Sequence, residues 1–201
     1  MKKLLALAAG AAALAGAAFA DPAVDAAAPA FSGLTASGET ISLDQFKGQN
    51  VILEWANDGC PFVQKHYETG NMQKTQAAAN ETGAVWITVM SSAPGKQGHA
   101  DATRANKLMK EWASAPDYIL LDEEGVVGKA YGAKTTPQMA LIDKDGVLRY
   151  AGAIDDKPSA NHATVNGANN YILAALSSVE KGEAVAVKET KPYGCSVKYK
   201  S

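Results

Sequence analysis

Residues 51–63, Val-Ile-Leu-Glu-Trp-Ala-Asn-Asp-Gly-Cys-Pro-Phe-Val, run from an apolar, β-prone stretch through a short polar turn to Cys60 at the start of a helix. This strand-to-helix step is the strongest constraint on the fold, because the alternation of strand and helix continues beyond it. It also has chemical content. Exposed backbone N–H groups and the positive end of a helix dipole favour an anion, so a cysteine placed there tends to the thiolate, the form that acts as a nucleophile.

After Cys60 a helical segment extends to about Asn80, interrupted near Thr69-Gly70-Asn71, where glycine costs about 1 kcal/mol against alanine. Gly83 resets the chain for a strand over 84–90, and a loop at 91–101 leads into a helix at 102–114 with Leu108, Met109 and Trp112 at helical spacing. A short strand at 118–121, a short helix from Glu124 to Tyr131, and a hairpin of 138–143 and 147–152 around Lys144-Asp145-Gly146 follow. A final helix is expected over 163–181, and then a C-terminal tail over 183–201 that carries Cys195. Upstream of the central strand, 31–34 and 39–42 read as an N-terminal β-hairpin, 43–46 as one helical turn, and the alanine- and proline-rich residues 21–30 as a flexible leader.

The chain opens with Met1-Lys2-Lys3, an apolar stretch from Leu4 to Phe19, and Ala18-Phe19-Ala20 before Asp21, the pattern of a cleaved secretory signal over 1–20. A membrane anchor is the competing reading, but the run is mostly alanine and glycine and no basic stop-transfer flank follows it. The expected destination is therefore export, to a bacterial periplasm, without membrane attachment after cleavage. A net charge of −2 from 19 basic and 21 acidic residues, with no block of like charge, gives no argument for a nucleic-acid or membrane-surface partner. Two cysteines are too few for a disulfide scaffold, so an oxidising compartment allows one intramolecular pair or none.

The strand into Trp55-Ala56-Asn57, the site Cys60-Pro61-Phe62-Val63, Thr135-Thr136-Pro137 before a second apolar strand, and the ending Pro192-Tyr193-Gly194-Cys195-Ser196-Val197-Lys198-Tyr199 together resemble one family. They are similar to the exported, peroxiredoxin-like branch of the alkyl hydroperoxide reductase and thiol-specific antioxidant redoxins. The resemblance covers 31–182, read as one domain, and the tail. It implies an α/β thioredoxin-like fold, a central mixed sheet flanked by helices, and thiol-based oxidoreductase chemistry. It also implies that Pro137 is a cis proline facing the catalytic cysteine, and it offers Trp55 as a shield for that cysteine or as plain core and Glu54 as a candidate to take a leaving thiol's proton, although alternation puts these two on opposite faces of the sheet.

Several readings of Cys60 stay open. A vicinal Cys-x-x-Cys disulfide is excluded because position 63 is Val63, so any two-cysteine cycle recruits Cys195. In the family's peroxidase motif a threonine or serine stands three residues before the cysteine and a proline seven before it. Here those positions hold Asn57 and Leu53, and neither arginine, Arg104 or Arg149, falls at the family's arginine position near Thr136-Pro137. Asn57 remains a candidate hydrogen-bond donor. The bland account makes Cys60 a small buried hydrophobe or half of a static bridge. A copper site of the thioredoxin-fold chaperone type wants a cysteine where this chain has Gln64, so a metal role is disfavoured, and His66, His99 and His162 read as lone solvated side chains.

The resulting expectation is a redox-active Cys60, supported by Asn57, Pro61, Trp55, Thr136 and Pro137, oxidised by a hydroperoxide or a protein disulfide, captured by Cys195, and reduced by an external dithiol protein. No cofactor is needed, since sulfur carries the electrons. The alternative, from another class, is a non-enzymatic binding module in which a static Cys60–Cys195 disulfide holds the tail over the cleft.

Overall fold

The computed structural model describes residues 21–200; the signal expected over 1–20 lies outside them. The chain forms β1 (Ser32–Leu34), β2 (Thr40–Ser42), β3 (Val51–Trp55), α1 (Pro61–Glu68), α2 (Asn71–Asn80), β4 (Val85–Met90), α3 (Ala102–Glu111) and β5 (Tyr118–Leu121). Then come α4 (Val126–Ala130), β6 (Thr135–Thr136), β7 (Gln138–Ile142), β8 (Leu148–Gly152), α5 (Tyr171–Glu180) and β9 (Cys195–Ser196). This is a thioredoxin-like fold with a five-stranded mixed sheet in the order β5-β4-β3-β7-β8. β5, β4 and β3 run parallel, while β7 and β8 are antiparallel to their neighbours. No helix of the described residues is long and apolar enough to cross a membrane.

Period-two alternation along β3 builds the two cores. Val51, Leu53 and Trp55 face one layer with Ile87, Val89, Leu120 and Tyr131, against the β1–β2 hairpin and α4. Ile52 faces the other with Trp86, Met139 and Leu141, covered by Val63 and Tyr67 of α1, Met72 of α2 and Leu176 of α5. Each large apolar side chain buried in this way contributes about 1.5–3 kcal/mol. Because both faces are covered, β3, β4 and β7 are buried throughout and read in sequence as largely apolar runs, broken by Glu54, Thr88 and Gln138.

The interruption expected near Gly70 is present: that residue has φ 72, in the left-handed region, and separates α1 from α2. Two expectations are corrected. The last helix does not begin at 163; Asn161 accepts from the N–H of Ala163 to open a 3-10 turn over His162–Val165, and Asn170 accepts from Leu173 to open α5 separately. Residues 21–30 are not a free leader. They run beside the β7–β8 hairpin, with Asp25 N–H donating to Leu148 O at 2.8 Å and Leu148 N–H to Ala26 O at 2.9 Å.

The tail is part of the body. It passes β8, where Glu189 bridges Ala151, and then forms β9, which pairs antiparallel with β6 so that Cys195 lies opposite Thr136.

Candidate active site

The Asn57-Asp58-Gly59 turn delivers Cys60 to the helix. Asn57 Oδ1 accepts from the N–H of Gly59 at 2.9 Å, and the Cys60 N–H donates to Asn57 O at 3.1 Å. Gln97 Nε2 clamps Gly59 O at 2.8 Å, and Arg104 bonds Asp58 at 2.6 Å. Cys60 is the N-cap of α1, and Pro61 occupies the first helical position, where a missing N–H costs nothing. The thiol is wholly buried.

Around the sulfur sit the Thr136-Pro137 segment, whose peptide bond is cis, and the tail. As a thiol, Cys60 donates to Thr136 O at 3.0 Å; the Cys195 N–H donates to Cys60 Sγ at 3.4 Å. Burial pushes the Cys60 thiol up, but hydrogen bonds from the Cys195 side chain and from the backbone of Cys195 and Val63 outweigh it, and the net shift is downward. Cys195 moves the other way, pushed up to about 11 by burial and by its hydrogen bond to Cys60. The pair therefore holds its proton unequally, Cys60 giving it up more readily than Cys195.

The tail is seated by its glycine and its tyrosines. Gly194 has φ +134, and a Cβ there would collide with the Thr136 carbonyl, so only glycine lets the backbone lie on β6. Beyond Cys195, Val197 is buried, the Ala93 N–H donates to Lys198 O at 2.8 Å, and Tyr199 Oη donates to Ala133 O at 2.7 Å. Before it, Tyr193 enters a buried cage of Lys65, His66 and Asp155. Asn71 Nδ2 donates to His66 Nδ1 at 2.8 Å, which leaves the Nε2 proton for the Tyr193 oxygen at 3.2 Å. Lys65 Nζ donates to the same oxygen at 3.3 Å and to Lys157 O at 3.0 Å, and Tyr193 in turn donates to Asp155 Oδ1.

Residues 23–172 match the family model described as Redoxin. The chain belongs to the redoxin family. Membership carries the coarse chemistry, thiol-dependent oxidation and reduction, and the match ends before Cys195. No curated protein matches the sequence. Among solved structures the redoxin is similar to an uncharacterized conserved protein from Geobacillus kaustophilus, at 25% identity and TM-score 0.76, covering 89% of this chain and 93% of that one. It is also similar to a hypothetical protein from Sinorhizobium meliloti, at 23% and 0.75, covering 90% and 97%. The thioredoxin domain of a thiol-disulfide oxidoreductase from Bacteroides vulgatus shares the fold at 24% identity and TM-score 0.52, covering 73% and 97%.

Other expected positions fall differently in this redoxin. Trp55 points into the layer opposite to that of Cys60, its ring 5.8 Å from that of Tyr131, and so is core rather than a shield. Asn57 packs its carboxamide beneath Gly98 and caps its own turn. His66 is not a solvated side chain; burial and the neighbouring Lys65 hold it down to about 3, so it is neutral. His162 is exposed and His99 half-buried. Glu54 lies in a complete set of donors: Tyr67 Oη at 2.7 Å, Trp86 Nε1 at 2.9 Å, Thr88 Oγ1 at 3.2 Å and Gln76 Nε2 at 3.5 Å. Burial raises it above the usual carboxylate range, and those donors oppose the rise. Asp155 and Lys65 were missed in the sequence because nothing local marks them. The cage joins α1, the turn after β8 and the tail.

Proposed function

We propose that this redoxin is an exported thiol–disulfide oxidoreductase in which Cys60 attacks a protein disulfide and Cys195 resolves the mixed disulfide. The juxtaposition of the two free thiols, with the Cys195 N–H on Cys60 Sγ, carries the reading. The Cys60 thiolate forms a bond to one substrate sulfur, and the second substrate sulfur leaves and takes a proton. Cys195 then loses its proton and attacks Cys60 Sγ, forming the Cys60–Cys195 bond and releasing the first substrate thiol. An external dithiol protein returns two electrons and two protons. Sulfur alone carries the electrons, and the Met1-Lys2-Lys3 segment with its apolar run supports export.

A disulfide is favoured over a hydroperoxide by what surrounds the sulfur. Splitting an O–O bond needs donors aimed at the developing negative oxygen. Arg104 pairs with Asp58 and Glu111, and Arg149 pairs with Asp25 and Asp143; Asn57 uses its Oδ1 in its own turn, and its unpartnered Nδ2 is a single amide donor where the peroxidase motif has a hydroxyl and an arginine. Disulfide exchange needs no such set.

Cys195→Ser is expected to trap a Cys60 mixed disulfide with a substrate protein, seen by mass spectrometry, while the wild type turns over to the internal bridge. Absence of both species with a reactive protein disulfide would sink the reading. Faster oxidation by hydrogen peroxide than by disulfides would transfer the role of oxidant to the hydroperoxide.

A further inference from the structure

We infer that Tyr193 is a positioning residue: its phenol, keyed into the buried Lys65–His66–Asp155 cage, holds Cys195 at Cys60 and sets how readily the two sulfurs join. The inference rests on the redox pair proposed above and concerns what makes it a pair. Lys65, His66 and Asp155 are all buried, a costly arrangement unless each polar atom is partnered. The Tyr193 oxygen supplies that partner. It accepts from Lys65 Nζ and His66 Nε2 and donates to Asp155 Oδ1, which also accepts from the Lys157 N–H at 3.0 Å.

Asp155 Oδ2 has no hydrogen-bond partner and lies 3.9 Å from both Lys65 Nζ and His66 Nε2, so removal of the phenol leaves the carboxylate still poorer in partners. The ring is held as well, 5.8 Å from that of Phe62 and with Lys65 Nζ 5.1 Å from its centroid. Only Gly194 separates Tyr193 from Cys195. Movement of the phenol out of the cage therefore moves the second sulfur, and the cage acts on the chemistry without touching the reacting atoms.

The test compares the full-length wild type, Tyr193→Phe and Tyr199→Phe in glutathione buffers, with the pH profile of Cys60 alkylation as a second readout. Tyr193→Phe is expected to lower the equilibrium constant for the Cys60–Cys195 bridge by about tenfold or more, since its hydrogen bonds are to charged groups. It is also expected to shift the alkylation profile to higher pH, because Cys60 loses the hydrogen bonds from Cys195. Tyr199→Phe removes one neutral hydrogen bond and is expected to do much less. An unchanged constant and profile for Tyr193→Phe, or equal shifts in the two variants, overturns the positioning role. A wild type that forms no bridge in any buffer overturns the redox pair instead, and the alkylation profile still decides whether Tyr193 holds the tail. Should Tyr193→Phe fail to fold, Asp155→Asn removes the charge from the cage and is expected to shift both readouts in the same direction.

Discussion

Glu54 and His66 are both inaccessible to solvent, and burial displaces them oppositely. Glu54 is raised above 4.5, so the folded chain binds the extra proton; its stabilising contribution is full below about 4.5 and is lost as pH rises through the raised value. His66 is lowered from 6.5 to about 3, so the unfolded chain binds the extra proton; its contribution is full above 6.5 and is lost as pH falls toward 3. Above about 4.5, and until Glu54 gives up its extra proton, the two slopes oppose each other, each worth up to about 1.4 kcal/mol per pH unit where folded and unfolded states differ by a whole proton. The wild type is therefore expected to have a shallow profile of stability against pH in that window. Glu54→Gln leaves the histidine slope alone, and stability should rise with pH. His66→Gln, which also loosens the contacts to Lys65, Asn71, Asp155 and Tyr193, leaves the carboxylate slope, and stability should fall with pH. Urea midpoints at several pH values measure this; parallel profiles for the two variants would contradict the assignment.

β9 is a two-residue strand whose position depends on a close approach at one glycine. Crowding a methyl against the Thr136 carbonyl costs about 1–3 kcal/mol, so Gly194→Ala is expected to release the tail and speed Cys60 alkylation about tenfold. The measurement belongs near pH 9.5, about one unit above an ordinary thiol value, so that a released Cys60 is also ionised. Alkylation at the wild-type rate would show that the tail does not cover the sulfur. The same strand marks where the sequence stops being informative. β3, the turn, Pro61 and the β7–β8 hairpin are legible because alternation, a helix start and an Asp-Gly pair are local signals. Tyr193 and Tyr199, on either side of Cys195, pin the tail to the body. What they pin to was not legible, since Lys65 and Asp155 meet Tyr193 only through the packing of α1 and the turn after β8. Trp55 reads from sequence as either core or shield, and the packing decides for core by placing it in the layer away from Cys60. The sequence overstates the length of the last helix because two asparagines, Asn161 and Asn170, both carry cap signals, and each is used.

Across the whole molecule, the proposed redox pair links folding to chemistry, because a Cys60–Cys195 bridge would stabilise the fold by the amount that the fold stabilises the bridge. Cys60 and Cys195 are 135 residues apart, and closing that loop in the unfolded chain is worth about 5 kcal/mol on entropy alone. The reduced fold offsets part of this, since the Cys60 thiolate receives hydrogen bonds from Cys195 and the backbone that bridging removes. The oxidised protein is thus expected to be more stable than the reduced one by less than about 5 kcal/mol, and its potential to lie within about −120 to −270 mV rather than below about −300 mV. The pH dependence of that potential tests the unequal sharing of the proton. Above the lowered Cys60 value and below about 11, reduction yields one thiolate and one thiol and takes up a single proton. A two-electron couple then shifts by about 30 mV per pH unit, against about 59 mV where two protons are taken up. Potentials measured in glutathione or dithiothreitol buffers from pH 6 to 9.5 should show the shallower slope setting in well before an ordinary thiol value of about 8.5. A slope that stays near 59 mV per unit up to about pH 8.5 would mean that Cys60 is an ordinary thiol and that Cys195 does not prepare it for attack.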